Sequence, residues 1–108
     1  MTVFLTEKYM VKQDKLDEFA ACVKNLEAMM KKRPALFNDV KSHRIFHNLF
    51  GGTWNGYVEM TELGSLAEVE KFMTRAMKDK EFMTKVYAKF MAVIVPESYS
   101  VNIWASYP

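Results

Sequence analysis

The hydrophobic patterning of this 108-residue chain predicts an α+β protein in the order βαββαβ, with an antiparallel sheet. Three observations carry that expectation. Segments that alternate apolar and polar residues open and close the chain and flank a glycine-containing turn in its middle. Two longer segments between them repeat apolar residues every three or four positions. Asp, Ser and Pro punctuate the joins where helices should start and stop. The length suits one domain, 1–108, and is too short for two independent cores.

The first strand is read from Val3-Phe4-Leu5-Thr6-Glu7-Lys8-Tyr9-Met10-Val11, which is rich in β-branched and aromatic residues and places Val3, Leu5, Tyr9 and Val11 on one face. Asp14 then offers an N-cap side chain, with Asp17 and Glu18 where a helix dipole favours negative charge. Leu16, Phe19, Ala20, Val23, Leu26 and Met30 recur at helical steps. Lys31, Lys32 and Arg33 complement the C-terminal end before Pro34 stops the run, so the first helix spans roughly 15 to 32. A second strand runs from Val40 to Leu49, with His43, Ile45, His47 and Leu49 on one side. Gly51-Gly52 and Asn55-Gly56, around Thr53 and Trp54, supply a hairpin turn into a third strand, Tyr57 to Glu62. Ser65-Leu66-Ala67-Glu68 is a capping-box pattern opening a helix that carries Val69, Phe72, Met73, Ala76 and Met77. Asp79 restarts it after a break near 78–80, with Phe82, Met83, Val86, Phe90 and Met91 following. After Pro96, Tyr99, Val101, Ile103, Ala105 and Tyr107 alternate with polar partners and Trp104 in a last strand that reaches the C-terminus.

Composition narrows the function classes. Half of the residues are hydrophobic and only 4 Gly and 3 Pro are present, which excludes a disordered or collagen-like chain. A net charge of +2 is too small to imply a polyanion, and no nucleic-acid partner is expected. The lone Cys22 excludes an intrachain disulfide and multi-cysteine metal sites. There is no basic segment followed by an apolar leader, and the longest apolar run, Phe90 to Val95, is far below the ~20 residues a membrane helix needs. A cytoplasmic protein without membrane contact is expected. Eight Phe, five Tyr, two Trp and nine Met are more bulky apolar side chains than a small monomer readily hides.

The βαββαβ order implies a ferredoxin-like sandwich, with helices packed on one sheet face. Several details narrow it. Val11-Lys12-Gln13-Asp14-Lys15 closes the first strand, and a glycine hairpin follows the second. Glu59 to Glu62 leads into Ser65-Leu66-Ala67-Glu68, and Asp79-Lys80-Glu81-Phe82 restarts a helix. Together these resemble the dimeric α+β barrel superfamily, especially the antibiotic-biosynthesis-monooxygenase and NIPSNAP-like groups. The resemblance implies a homodimer with sheets face to face, giving the apolar surplus a second surface to cover, and a small-molecule pocket between each subunit's own sheet and helices. It also implies a hydrophobic or aromatic ligand, oxidised without a cofactor as polycyclic phenols are by such monooxygenases. A NIPSNAP-like protein would instead be a non-catalytic ligand-binding or interaction module, and similar folds degrade haem with Asn, Trp and His.

Among the candidate groups, His43 and His47 share a strand face but lie ~13 Å apart along it, too far to hold one metal ion, so no metal site is expected. As proton-transfer groups of a monooxygenase or an isomerase they are the catalytic candidates, His47 first because Ile45 and Leu49 share its face. Asn48, Trp54 and Tyr57 in the same hairpin, with Tyr9 and Glu59, are the residues expected to bind substrate, and Glu7 is a further polar candidate. The bland alternative packs Trp54 and Tyr57 in the core or the dimer interface and leaves the histidines half-exposed. Methionines 29, 30, 73, 77, 83 and 91 and Cys22 are read as core. The same element order occurs in copper carriers, excluded by the lack of a Cys-x-x-Cys pair. It also occurs in RNA-recognition domains, whose third-strand motif Asn55-Gly56-Tyr57-Val58-Glu59-Met60 echoes only distantly.

Overall fold

The first strand, β1 (Val3–Met10), lies inside a four-stranded antiparallel sheet of order β2-β3-β1-β4, between β3 (Gly56–Leu63) and β4 (Ser100–Ala105), with β2 (Val40–His47) on the outer edge of β3. The computed structural model describes residues 2–52 and 54–107. Three helices cover one face: α1 (Leu16–Lys32), α2 (Leu66–Lys78) and α3, residues 80–93. This is the ferredoxin-like βαββαβ arrangement expected from the sequence. Among the described residues no helix is long and apolar enough to cross a membrane.

Register assigns every strand residue to a face. Val3, Leu5, Glu7 and Tyr9 of β1 pair with Leu63, Thr61, Glu59 and Tyr57 of β3, and His43, Ile45 and His47 of β2 continue the same inner row. Val3, Leu5 and Leu63 pack with Val69 of α2, whereas Tyr9 and Val11 pack with Phe19 and Cys22 of α1 and with Val93 and Ile94. A third cluster joins Met29, Leu36, Phe37 and Val86 at the far end of the helical layer. The outer sheet face carries Phe4, Thr6, Met10, Phe46, Val58, Met60 and Trp104, of which Phe46 and Trp104 are exposed.

Several local expectations are corrected. Asp14 does not cap α1: residues Gln13–Lys15 form a 3-10 turn first, and the helix starts behind Lys15 with no side-chain cap. β1 ends at Met10, because Val11 instead bridges Ile94. β2 ends at His47 rather than Leu49, where Gly51 and Gly52 turn the chain with positive φ and the Asn48 side chain donates to the Gly51 carbonyl. Thr53, in that hairpin, lies outside the described residues. β4 begins at Ser100 and stops at Ala105, short of Tyr107. Arg33 does more than complement a helix end: its guanidinium grips both oxygens of Asp79 at 2.7 and 2.5 Å and reaches Glu81 at 3.1 Å. Met73 and Met77 are exposed rather than core.

The two helix starts on the second half follow their sequence signals. Ser65 accepts from the Glu68 amide, while the Glu68 carboxylate accepts from the Gly64 amide, one residue earlier than a standard capping box. The predicted break falls at Asp79, whose side chain accepts from the Phe82 amide and opens α3. α3 then contains a π-helical turn, Met83–Tyr87, a feature often placed at functional sites because it re-aims the side chains beyond it.

Candidate functional site

Between the sheet and the helices lies a cavity of about 110 Å³. Its walls are apolar: Phe19, Val23, Leu26 and Met30 come from α1, Phe72 from α2, and Phe82, Val86 and Phe90 from α3. Phe82, Val86, Tyr87 and Phe90, in and around the π turn, all line this one space. Its floor is the inner sheet face, and there the polar groups gather: Glu7, His43, Glu59 and Thr61.

Glu59 is fixed from two sides. The Tyr9 hydroxyl donates to its Oε1 at 2.9 Å, and His43 Nε2 lies 2.6 Å from its Oε2. The His43 and Glu59 side chains are each only 12% exposed, so this pair works against a weakly screening surround. An ionised carboxylate only accepts, so with Glu59 ionised the His43 Nε2 carries the proton and Nδ1 is the ring atom able to take one.

Glu7 sits directly opposite Glu59 in the β1–β3 register. Like charges facing each other across two strands repel. Burial first, and then the Glu59 charge, push the Glu7 carboxyl from its ordinary 4.5 up to about 7, against smaller opposing effects of the Tyr99 hydroxyl and of His43. The Tyr99 hydroxyl donates to Glu7 Oε2 at 2.5 Å. Tyr99 is held there because the chain after α3 zips onto the end of β1. Val95 N donates to the Met10 carbonyl, and Ser98 Oγ accepts from Met10 N while donating to the Val95 carbonyl. Burial raises both the Tyr9 and Tyr99 phenols far above their ordinary range, so both remain proton donors. Cys22 also lines the cavity as a free thiol, raised by burial and thus not a thiolate at neutral pH.

The residues singled out in the sequence therefore separate into groups. His43 and Glu59 meet at the cavity floor, and Tyr9 stands behind Glu59, buried and stacked edge-on against Phe90 at 4.8 Å between centroids. Tyr57 is half-buried and sandwiched between Phe19 and the His47 ring, 4.7 and 4.6 Å away. His47 itself is exposed at the strand end and does not line the cavity, nor do exposed Asn48 and Trp54 in the hairpin. Tyr99 and Tyr87 were not among the expected site residues. Glu7 had a visible signal, since strand parity places it in the same inward row as Leu5 and Tyr9. Among the described residues no three His, Cys, Asp or Glu side chains gather as a metal site.

No family model matches the chain, and no curated protein matches it. Solved structures do. A NIPSNAP family protein from Agrobacterium tumefaciens superposes with a TM-score of 0.74 at 14% identity, over 97% of this chain and 92% of that one. A NIPSNAP-like domain protein from Burkholderia xenovorans gives 0.73 at 16%, over 98% and 85%. SnoaB, a cofactor-independent oxygenase from Streptomyces nogalater, gives 0.69 at 11%, over 99% and 94%. The likeness extends over nearly whole chains while few residues are shared, so what it establishes is the fold: the chain is built like these NIPSNAP proteins and SnoaB.

Proposed function

We propose that this chain forms a homodimer in which each subunit binds a small hydrophobic or aromatic molecule between sheet and helices and removes a proton from it, without a cofactor. The observation that carries the reading is the His43–Glu59 pair on the floor of a cavity whose helical walls are mostly apolar. A histidine oriented by a carboxylate on one nitrogen is a base on the other. An engineered cavity of about 150 Å³ takes up benzene, so a space of about 110 Å³ suits a ligand the size of one small ring.

The likeness to a cofactor-independent oxygenase favours one chemistry beyond binding. Deprotonating a ring CH₂ beside a carbonyl gives an electron-rich anion that adds dioxygen. The resulting peroxide takes up a proton and loses water to leave a second carbonyl, so one O₂ is consumed and one H₂O released. The homodimer is supported by the outer sheet face, where Phe46 and Trp104 are exposed and the buried Thr6 hydroxyl has no hydrogen-bond partner. Trp104→Glu should convert a dimer to a monomer in light scattering; a wild-type protein that is monomeric at tens of micromolar contradicts that part. For the site, oxidation of a single-ring ketone with a CH₂ beside its carbonyl, cyclohexane-1,2-dione, followed by oxygen uptake should fall at least tenfold in His43→Ala. Ring compounds that bind both proteins and are oxidised by neither would leave a ligand-binding module, and equal turnover by both would refute the role of His43.

A further inference from the structure

Glu59 is committed to Tyr9 and His43, but the carboxyl opposite it is not. We propose that Glu7 is a second working group in this cavity, a carboxylic acid that donates a hydrogen bond to a ligand oxygen, so that the pocket selects small ketones bearing an acidic C–H beside the carbonyl. The inference rests on the cavity reading above and names its substrate class.

The geometry separates two carboxyl groups that start out chemically alike. Glu59 has two partners, the Tyr9 hydroxyl on one oxygen and His43 Nε2 on the other. Glu7 has one, the Tyr99 hydroxyl, and faces Glu59 across the strand pair. Its other neighbour in the sheet, Val101 of β4, brings no charge. From the helices, the groups with a proton to exchange that line the same cavity are Tyr87 of α3 and Cys22 of α1, and Phe72 of α2 has none. The imidazole of the cluster, His43, is bonded to Glu59 rather than Glu7. A carboxyl so placed holds its proton far above the ordinary carboxylate range, up to about 7, and is largely protonated at pH 6. Two carboxyls whose surroundings drive their protonation apart mark an acid and a base.

The step they would perform balances without any further reagent. A proton leaves the carbon beside the ligand carbonyl for His43 Nδ1, and the C–H electron pair becomes the C=C bond of an enolate. The carbonyl oxygen, gaining that charge, takes the Glu7 hydrogen bond and finally its proton. Reversal returns both protons, with solvent deuterium replacing hydrogen on carbon in D₂O. The enolate is also the anion that the oxygenation above requires.

The test compares two single-ring probes of similar shape, acetophenone and ethylbenzene, by ligand-observed NMR with the wild-type protein, Glu7→Gln and Glu7→Leu at pH 6 and pH 8.5. At pH 6 the wild type should prefer acetophenone by about tenfold, the worth of one good hydrogen bond, and should lose the preference at pH 8.5 as the donor ionises. Glu7→Gln, whose amide donates at every pH, should keep it at both. Glu7→Leu should favour the more hydrophobic ethylbenzene at both. Deuterium should enter the acetophenone methyl group in the wild type and not in His43→Ala. Equal binding of the two probes by the wild type, or a preference surviving in Glu7→Leu, overturns the role of Glu7 while leaving the cavity reading intact. Binding of neither probe overturns both.

Discussion

Replacing Glu7 by Gln should abolish a pH dependence of stability that the wild-type fold carries by construction. The perturbation is small in volume, keeps a hydrogen-bonding side chain beside Tyr99, and removes only ionisation. In the unfolded chain Glu7 titrates at its ordinary 4.5; in the folded chain burial and the Glu59 charge move it to about 7. The folded state therefore binds the proton more tightly, and stability falls as pH rises between those values. The contribution is fully present below 4.5 and gone above 7. At ~1.4 kcal/mol for each tenfold change in proton affinity, the rise corresponds to about 3 kcal/mol, a large share of the roughly 5–15 kcal/mol that holds a domain together. Urea denaturation from pH 4 to 8.5 measures it: the stability of Glu7→Gln relative to wild type should grow by about 3 kcal/mol over that range, most of it between pH 4.5 and 7. Two profiles that stay parallel across the window would refute the assignment of a shared, repelling carboxyl pair at the cavity floor.

The remaining expectations concern the frame and the space. Ser65→Ala should cost about 1 kcal/mol in urea denaturation, the usual worth of an N-cap, because the Glu68 amide loses its acceptor. Asp79→Ala should lower the melting temperature more than Arg33→Ala, since Asp79 both holds Arg33 and caps the first turn of α3; equal effects would show that the cap is idle. Val23→Phe, which fills the cavity from α1, should abolish binding of single-ring compounds while leaving the far-ultraviolet circular dichroism spectrum unchanged. A variant that still binds them would place the ligand elsewhere.

The architecture was legible because its signals are local. Alternation marks the strands, three- and four-residue repeats mark the helices, and Ser65 and Asp79 announce helix starts that the folded chain uses. The departures arise where a distant partner competes. Asp14 is a good cap by type, but Lys12 N donates to the distant Val93 carbonyl and a 3-10 turn follows before the helix. Arg33 sits where helix ends attract basic residues, yet its partners, Asp79 and Glu81, are more than forty positions away. The site was half legible for the same reason. His43 and Glu59 stand in neighbouring strands of one hairpin, whereas their companions Tyr9 and Tyr99 come from opposite ends of the chain. His47, favoured in the sequence for its apolar neighbours, lies exposed at the end of the edge strand, and it stacks on Tyr57 instead of lining the cavity. Strand parity fixes a residue's face but not how far the covering helices reach along it.

The claim on which the rest depends is that the space between sheet and helices receives a small hydrophobic ligand above the His43–Glu59 pair. Titrating isotope-labelled protein with acetophenone at pH 6 and following methyl and imidazole resonances tests it directly. The account predicts saturable shifts concentrated at Val23, Leu26, Ile45, Val86 and the His43 ring, with His47 and the outer-face Val58 unmoved. Shifts confined to the outer sheet face or the hairpin, or none at all up to the solubility limit of the probe, would contradict it.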